Sequence, residues 1–507
     1  MKNIVFRVDS SFKIGNGHLS RCANLADEIT AAGNKVFFIT KMEVGSAHGI
    51  LKNRYPIYFL KNYSKENDID DKKSSELYDA KQTIKILKKK NFFSLIVDNY
   101  DLGYKWEKTI KPYVNNLIAI DDLANRKHDC DMLLDQNWFE KPYQRYSSLI
   151  PQTCSLLLGP SFSLLNANFS RKKRLALKSL ENQSPKNLFI FFGGSDPYGL
   201  TLTCLMAIFD SKYFMKINID VVVGSNNKDI VKIENFCKDK TNLRLHKQID
   251  NIYDVMLGAD LAIGAAGVNT WERISFGIYT IVISFSENHK EILKKIIDNN
   301  LICYLGHYNQ VSKKHITKNL EDKLENISSI KNHMKTFFSL VDGKGAFRAS
   351  EWIAGNLLKN SWSARPATID DSDILWMWVN DPDVRKNAIN KKKIPKKEHD
   401  DWFKKILHNK FSIIYIILID KIPIGQVRFE KKGKFLKIDY SLARHFRGRG
   451  IAKKMLNTAI KKLKNKPNLY AEVLNDNIPS KKVFLSLGFQ IEKNDDFLIF
   501  KKINNNE

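Results

Sequence analysis

The sequence lacks a hydrophobic run long enough to cross a membrane. Its longest apolar stretch, Phe411 to Ile419, is broken by Asp420 and Lys421, whereas a membrane-spanning helix needs about 20 apolar residues. The N-terminus reads MKNIVFRVDSSF, in which charged side chains interrupt the apolar segment that a secretory signal requires. We therefore expect no membrane association, no secretion and a cytoplasmic location.

Cysteine is also scarce. The six cysteines lie far apart, and there is no CxxC motif and no cluster of Cys and His at metal-ligand spacing. This pattern argues against a disulfide framework and a zinc site, so we expect reduced thiols and no bound metal. The cysteines are Cys22, Cys130, Cys154, Cys204, Cys237 and Cys303.

Apolar residues are plentiful enough for several cores. They make up 43% of the 507 positions, with 11% aromatic and 27% charged residues, as in globular proteins, and this length corresponds to about three domains. Lys and Arg number 82 against 55 Asp and Glu, a net charge of +27. A basic surface can bind nucleic acid. However, the densest basic runs (88–90, 171–174 and 391–393) lie at expected helix ends or connections without interleaved aromatics, so we expect no nucleic-acid partner.

Two stretches of the chain alternate short apolar strands with helical segments, which predicts α/β domains with parallel sheets. The first covers residues 1–170 and the second residues 171–358, with a polar, basic linker at 170–186. Two similar units joined in this way suggest an enzyme with a cleft. The predicted strands are Ile4 to Val8, Lys35 to Ile39, Ser94 to Val97 and Leu117 to Ile120, then Leu188 to Phe192, Ile219 to Val223, Leu261 to Ile263 and Thr280 to Ile283.

Residues 362–507 form a third unit with a different order of elements. A helix from Phe347 to Leu358 is expected to precede it. Two helices come first, at Asp370 to Val379 and Lys397 to Leu407, and successive strands follow, then a Gly/Arg loop, a helix, a strand and a final helix. This order indicates a mixed α+β domain.

The loop from Ile14 to Arg21 (IGNGHLSR) is the first candidate for a catalytic segment. It joins a strand to a helix, where glycines let backbone amides approach a ligand and the helix N-terminus offers positive potential. His18 lies at the mouth of the expected cleft, and imidazole can accept a proton near neutral pH. From the loop alone, His18 is either a general base or a cap for the helix.

Two loops of the second unit suit a nucleoside diphosphate. Gly193, Gly194 and Ser195 follow a strand, so their amides can form a nest for a diphosphate. The turn from Gly264 to Glu272 (GAAGVNTWE) repeats this arrangement, with Glu272 expected on the first turn of a helix. There Glu272 could accept both ribose hydroxyls of a nucleotide or, alternatively, act as a capping carboxylate.

These segments together resemble the UDP-sugar hydrolases of pseudaminic acid biosynthesis over residues 1–355. That family has two Rossmann-like domains of the glycosyltransferase B fold and is related to the transferase that adds N-acetylglucosamine in peptidoglycan synthesis. The resemblance implies metal-independent, inverting hydrolysis of UDP-2,4-diacetamido-2,4,6-trideoxy-β-L-altropyranose to UDP and the free sugar. The matching segments are Arg7 and Asp9 with IGNGHLSR, Asp98 to Tyr100, Ile120 to Asn137, Leu156 to Asn166, FFGGSDP and AAGVNTWE.

The hydrolase resemblance assigns the general base to His18 and leaves open whether Asp9 or Asp98 orients it or binds sugar hydroxyls. Val268-Asn269 replaces the small pair often found in that turn, which would narrow the phosphate pocket. His289 stands where the family usually has Gln. The residues implied in binding UDP and the sugar are Gly17, Arg21, Gly193, Gly194, Ser195, Gly267, Asn269, Glu272, Asn288 and His289.

The third unit has its own anion-binding signature, Arg447-x-x-Gly450-x-Ala452, between a strand and a helix. Consecutive amides there suit a pyrophosphate, although an Arg-rich loop alone could equally hold RNA phosphates. With Asn475 to Phe484 and LGF downstream, the unit resembles the GNAT acyltransferases. Its WMW segment and Glu398 to Phe403 look most like the branch that acetylates the amino group of a nucleotide-linked amino sugar.

The GNAT resemblance implies acetyl-CoA as co-substrate. The usual tyrosine that protonates the leaving thiolate would stand at Phe484, so that role is vacant or filled by water. Candidate proton relays are His399, Glu472 and Asp439, and a strand amide near Ser441 to Ala443 can polarise the carbonyl. The residues implied in binding acetyl-CoA are Leu442, Arg447, Gly448, Gly450, Ala452, Asn475 and Ser480.

Together the two resemblances predict a bifunctional enzyme. Its GNAT domain would acetylate UDP-4-amino-4,6-dideoxy-N-acetyl-β-L-altrosamine, and its hydrolase would then release the sugar, a precursor of the pseudaminic acid used on flagellins and surface glycans. The alternative is a glycosyltransferase of the same fold joined to a protein N-acetyltransferase. Dependence on a sugar acceptor, or acetylation of a peptide, would favour that alternative.

Overall fold

The structure is a computed structural model in which the chain divides into two compact units. One comprises Met1–Pro142 with Leu156–Gly355, and the other comprises Tyr143–Ser155 with Asn356–Glu507. Within the described residues, no helix is both long and apolar enough to span a bilayer. The described residues are 1–11, 14–61, 71–181, 187–224, 226–249, 251–285, 289–354, 361–388, 390–419, 422–448, 450–464, 467–493 and 497–503.

The N-terminal domain is built on a seven-stranded sheet with helices between its strands. Its strands are mostly short apolar runs, because strands covered on both faces need apolar side chains on both. In chain order the elements up to residue 179 are β1 (Asn3–Val8), α1 (Gly17–Ala31), β2 (Lys35–Lys41), β3 (Ile57–Leu60), α2 (Asp71–Leu87), β4 (Ser94–Asp98), α3 (Tyr104–Ile110), β5 (Asn116–Ile120), β6 (Met132–Asp135), α4 (Pro142–Tyr146), β7 (Ser155–Leu158) and α5 (Ala167–Ser179). Most of α4 lies in the segment Tyr143–Ser155, which belongs to the other compact unit. The strand order is β3-β2-β1-β4-β5-β6-β7, and β3 to β6 pair in parallel.

The second domain carries a six-stranded parallel sheet with helices between its strands. Its elements are β8 (Asn187–Phe191), α6 (Leu200–Phe209), β9 (Asn218–Val223), α7 (Ile230–Cys237), β10 (Leu243–Lys247), α8 (Ile252–Leu257), β11 (Leu261–Ala265), α9 (Val268–Ser275), β12 (Tyr279–Ser284), α10 (His289–Asp298), β13 (Ile302–His307), α11 (Lys313–Glu325), α12 (Ile327–Thr336) and α13 (Gly345–Ala354). The strand order is β10-β9-β8-β11-β12-β13.

Two connections differ from the sequence-based expectation. Most of the segment predicted as a linker, 170–186, is helical, because α5 extends to Ser179; residues 182–186 lie outside the described part of the chain. The helix predicted to start at Phe347 starts at Gly345 and is described to Ala354. This helix, α13, packs against α1 of the N-terminal domain.

The acetyltransferase-like region is an α+β domain with a seven-stranded mixed sheet, as predicted. Its elements are β14 (Trp362–Pro366), α14 (Ser372–Val379), α15 (Pro382–Lys386), α16 (Lys396–Leu407), β15 (Ser412–Ile419), β16 (Ile422–Lys432), β17 (Phe435–Leu442), α17 (Ala452–Ile460), β18 (Asn468–Leu474), α18 (Ile478–Ser486), β19 (Gln490–Lys493) and β20 (Phe497–Lys502). The strand order is β14-β15-β16-β17-β18-β20-β19. The expectation that a helix ends this domain is wrong, since β19 and β20 follow α18.

The parallel pair β17 and β18 separates along its length. The two strands are paired only from Phe435 to Lys437 against Asn468 to Tyr470, yet β17 continues to Leu442 and β18 to Leu474. A gap therefore opens between their carboxyl ends, where no ladder hydrogen bonds join the two strands.

Both parallel sheets reverse their strand order beside the first strand. In the N-terminal sheet β1 lies between β2 and β4, and in the second sheet β8 lies between β9 and β11. Ligands of open parallel sheets bind outside the carboxyl ends of the strands at such a switch point. The loops after β1, β4, β8 and β11 occupy these positions.

Candidate active sites

The loop after β1 and the end of β4 bring His18 and Asp98 together. Nδ1 of His18 lies 2.6 Å from Oδ1 of Asp98. Burial would raise the pKa of Asp98, but the charges of Arg21 and His18 outweigh burial and hold this pKa well below its usual value. Because Asp98 is ionised and can only accept, the tautomer of His18 that suits this contact carries its proton on Nδ1, with Nε2 as the nitrogen that could accept one.

Arg21 fixes Asp98 from the other side. Its Nε and Nη2 each donate to Asp98 at 2.7 Å, while its Nη1 donates to Asp122 at 2.6 Å. Tyr100 also donates to Asp122 at 2.7 Å and packs edge-on against the His18 ring. Nη2 of Arg21 also lies 3.2 Å from Nδ1 of His18. The buried guanidinium of Arg21 is thus held by two carboxylates beside the His18–Asp98 pair.

Asp9 lies at the end of the neighbouring strand and does not contact His18. It accepts from Arg7 at 2.6 and 2.8 Å and from the amide of Lys41 at 2.8 Å. Asn99 donates to its second oxygen at 2.9 Å. Of the two carboxylates that the sequence left open, Asp98 is the one that contacts His18.

A second buried charge cluster stabilises the N-terminal domain. His128 Nδ1 lies 2.7 Å from Glu107 and Nε2 lies 3.8 Å from Asp121. Burial lowers the pKa of His128, but the two acidic partners outweigh it and raise the pKa to about 9. Glu107, His128 and Cys130 also bring three potential metal-ligand atoms within 4.8 Å of one another.

The loop after β8 is open around Gly193 and tightly packed beneath Gly194. Gly193 adopts a φ of +88°, and no atom lies within 4 Å of its Cβ position. Asp196 closes the loop by accepting from the amides of Leu200 and Thr201 at the start of α6. Beneath the loop, a Cβ on Gly224 would lie 2.3 Å from the carbonyl oxygen of Gly194, so this position needs glycine.

The loop after β11 leads into the N-terminus of α9. Gly267 precedes the helix with a φ of +124° and is open around its Cβ position. The helix begins at Val268 and has no acidic residue in its first turn. The prediction that Glu272 lies on the first turn is therefore wrong, and with it the capping role, because Glu272 falls on the second turn.

The half-buried Glu272 and the fully buried Arg273 are neighbours on α9. Burial raises the pKa of Glu272 to about 7, and the Arg273 charge opposes that rise. Burial also lowers the pKa of Arg273 to about 10. An acid with a pKa near 7 can both donate and accept hydrogen bonds at neutral pH.

The His18 loop meets both loops of the second domain. Nδ2 of Asn16 lies 3.3 Å from the Cβ position of Gly194, and the Cβ position of Gly17 lies 3.6 Å from Val268. Asn137 accepts from the indole of Trp271 at 3.1 Å and so also joins the two domains. The His18 loop and the two glycine loops of the second domain therefore lie around one cleft.

Several buried polar atoms of this cleft have no hydrogen-bond partner among the described residues. They are Oδ1 of Asn16, Oε2 of Glu272 and Nδ1 of His289. A buried polar atom left unpaired costs about 1–3 kcal/mol, which points to a polar ligand that completes them. His289 is the first residue of α10, and burial lowers its pKa although Asp122 opposes this. The predicted ligand residue Asn288 lies outside the described residues.

The gap between β17 and β18 forms a cavity of about 110 Å³ in the α+β domain. Tyr440 of β17 and Ser480 of α18 line it with their hydroxyl oxygens 3.0 Å apart. Asn477 also lines it and caps α18 by accepting from the amide of Ser480 at 3.2 Å. Asn475, which the sequence analysis selected, is exposed and does not line the cavity.

The loop that follows β17 has the form of an anion site. Gly448 and Gly450 adopt φ values of +72° and +70° with open space around their Cβ positions, and α17 starts at Ala452. The side chain of Arg447 is engaged by the Leu442 carbonyl at 3.0 Å and by Asp381 at 2.6 Å. The Arg447 side chain is therefore held by partners within the protein.

The three proposed proton relays of this domain differ in their position relative to the cavity. Glu472 and Asp439 line the cavity, whereas His399 is buried, lies 3.1 Å from the Ser372 carbonyl and does not line the cavity. The amide of Ala443 already donates to Ile424 at 2.9 Å. Because successive amides of a strand point to opposite edges, the amide of Leu442 faces the gap.

Comparison with known proteins follows the same division of the chain. Residues 189–346 match the glycosyltransferase family 28 C-terminal domain, and residues 364–490 match the acetyltransferase (GNAT) domain. An uncharacterized protein of Methanocaldococcus jannaschii is 24% identical over 97% of both chains. Among solved structures, MurG of Acinetobacter baumannii aligns with a TM-score of 0.49 and 11% identity over 70% of this chain and 100% of its own.

A named relative matches half of the chain. It is the UDP-2,4-diacetamido-2,4,6-trideoxy-β-L-altropyranose hydrolase of Campylobacter jejuni, which is 29% identical over 50% of this chain and 81% of its own length. This chain is therefore homologous over half its length to that hydrolase, and it joins a glycosyltransferase family 28 C-terminal domain to a GNAT acetyltransferase domain.

Proposed function

We propose that this chain is a bifunctional sugar-nucleotide enzyme that hydrolyses a UDP-linked diacetamido sugar and, in its GNAT domain, acetylates the amino-sugar precursor. The observation that carries the hydrolase half is the Asp98-oriented His18, held against both anion-binding loops of the second domain. The similarity to the Campylobacter jejuni hydrolase supplies the substrate class. Six free cysteines fit a cytoplasmic setting.

In the hydrolysis, Nε2 of His18 accepts a proton from water, and the oxygen attacks the anomeric carbon with inversion. The bond between that carbon and the phosphate oxygen breaks, and UDP leaves towards the amides of Gly193, Gly194 and the first turn of α9. General-base assistance of this kind contributes about 10²–10⁴-fold. Amides fixed before the reaction stabilise the departing diphosphate without reorganisation.

In the acetyl transfer, acetyl-CoA binds with its pyrophosphate on the Gly448 to Gly450 loop and its thioester in the gap between β17 and β18. The Leu442 amide polarises the thioester carbonyl, and the amino group of the UDP-linked sugar attacks it. The GNAT match and the cavity at the strand gap support this half. The acetylated product is then the substrate of the hydrolase, so the two domains catalyse consecutive reactions.

The test of the hydrolase half separates chemistry from binding. His18→Asn and His18→Ala should abolish UDP release from the diacetamido sugar nucleotide while leaving UDP affinity intact, measured by calorimetry. Wild-type release should proceed with water alone. Undiminished turnover of both variants would remove His18 from the mechanism, and release that requires a sugar acceptor would instead indicate a glycosyltransferase.

A further inference from the structure

The acetyl-transfer site contains a hydroxyl group that the sequence pattern does not identify. Tyr440 lies on β17 on the same face as Ile438 and Leu442, because alternate residues of a strand share a face. Its side chain enters the cavity between the separated strands, and its hydroxyl lies 3.0 Å from that of Ser480. The same cavity would receive the thioester of acetyl-CoA.

The departing sulfur needs a proton that Phe484 cannot give. The Phe484 side chain is 2% exposed, packs against the rings of Phe489 and Phe500, and lines the cavity with a ring that has no hydroxyl. Its ring also meets the Tyr440 ring edge-on, with centroids 5.9 Å apart. Tyr440 thus stands beside the position from which the family tyrosine would act.

The carboxyl groups of the cavity are poor proton donors. Burial alone would raise the pKa of Glu472, but Lys437 and Lys432 outweigh it and lower the pKa, so Glu472 is a carboxylate at neutral pH. Asp439 accepts from Arg428 at 2.8 Å. Tyr440 differs because burial raises its pKa, although the Ser480 hydrogen bond opposes this, so its hydroxyl carries a proton at neutral pH.

We propose that Tyr440 is the general acid of the acetyl transfer and that Ser480 orients its hydroxyl. The amine nitrogen attacks the thioester carbonyl, the C–N bond forms and the C–S bond breaks. The sulfur takes the Tyr440 proton, the amine gives one proton to water, and the tyrosinate regains a proton from solvent along the Ser480 hydroxyl. The products are the amide and CoA thiol.

The experiment compares Tyr440→Phe with a matched control, Tyr415→Phe. Tyr415 is a buried tyrosine of β15 that does not line the cavity. With acetyl-CoA and the UDP-linked 4-amino sugar, thiol release by Tyr440→Phe should fall roughly 10²-fold or more in kcat, with unchanged acetyl-CoA affinity, whereas Tyr415→Phe should match the wild type. The alkaline limb of the kcat profile should also disappear in Tyr440→Phe.

A double variant tests whether a hydroxyl at this place in the cavity is what the reaction needs. Tyr440→Phe/Phe484→Tyr restores a hydroxyl beside the lost one and should recover part of kcat. This role depends on the proposed acetyl transfer, and the two can fail separately. No thiol release by the wild type would overturn the acetyl transfer and the Tyr440 role with it. Normal turnover by Tyr440→Phe, or an unchanged alkaline limb, would overturn only the Tyr440 role.

Discussion

Replacing Asp98 by Asn should inactivate the hydrolase while UDP still binds. The substitution keeps the size of the side chain but removes the charge that holds a proton on Nδ1 of His18, 2.6 Å away. The amide can present its NH₂ group to Nδ1, which moves the imidazole proton to Nε2 and leaves no base facing the cleft. We expect UDP release to fall about 10²–10⁴-fold, the usual contribution of a general base.

The same substitution costs stability, and the structure indicates how much. Arg21 loses the charge of the carboxylate that it contacts through Nε and Nη2 but keeps Asp122 at 2.6 Å. Breaking a buried ion pair costs about 3–5 kcal/mol. Because one of the two carboxylates remains, we expect a value near the lower end of that range.

Asp9→Asn is the matched control for this loss of stability. Asp9 is also buried at the end of a parallel strand, and it also binds an arginine through two nitrogens, at 2.6 and 2.8 Å. That arginine, Arg7, likewise keeps a second carboxylate, Asp79. The two variants should therefore unfold at similar urea concentrations, while only Asp98→Asn loses its base.

The assay follows UDP release from the diacetamido sugar nucleotide in both variants, with UDP affinity measured by calorimetry. Equal losses of turnover in the two variants would show that the effect comes from weakened packing at the sheet edge. Full activity of Asp98→Asn would contradict the role of Asp98 in orienting His18.

Three further predictions follow from the described contacts. Gly224→Ala should displace Gly194 by its Cβ contact of 2.3 Å and weaken UDP binding in calorimetry, while acetyl transfer continues; unchanged UDP affinity would contradict the packing. His128 has a pKa of about 9 in the folded protein against an ordinary 6.5, so the stability that it contributes is complete below pH 6.5 and is lost as pH rises to 9. The loss is about 3 kcal/mol in the free energy of unfolding measured by urea titration. His128→Gln should remove this pH dependence, and an unchanged dependence of stability on pH would refute the role of His128. Gly450→Val forces a branched side chain into φ +70° and should abolish acetyl-CoA binding by calorimetry, whereas retained affinity would remove the loop from the site.

Much of the fold could be predicted because parallel sheets covered on both faces require continuous apolar runs. Runs such as LFIF in β8 and IVIS in β12 are visible without a structure. The helix α5 was missed because its sequence, ANFSRKKRLALKS, is so basic that it resembles a solvated linker; Phe169 and Ala176 are its buried residues. The strand β19 is short and its Gln490 and Glu492 are exposed, so no apolar run marked it. The strand β20 does begin with an apolar run, FLIF, which the expectation of a final helix passed over.

The site could be predicted where the sequence of a loop is itself distinctive. Glycines before a helix predicted the loops at Gly193 and Gly448, since positive φ values there favour glycine. Choosing Asp98 over Asp9 required distances between neighbouring strands, which sequence spacing does not contain. Asn477 was passed over for Asn475, although an Asn followed three residues later by Ser480 at a helix start is a recognisable capping pattern.

The measurement that tests the bifunctional proposal most directly is mass spectrometry of the products formed from acetyl-CoA and the UDP-linked 4-amino sugar in ¹⁸O-water. Our account predicts CoA thiol, a free diacetamido sugar, and UDP that carries no ¹⁸O, because water attacks the anomeric carbon. Label in UDP would place the attack at phosphorus and contradict the role of His18. A product that stays monoacetylated, or stays linked to UDP, would contradict the acetyltransferase or the hydrolase half, respectively.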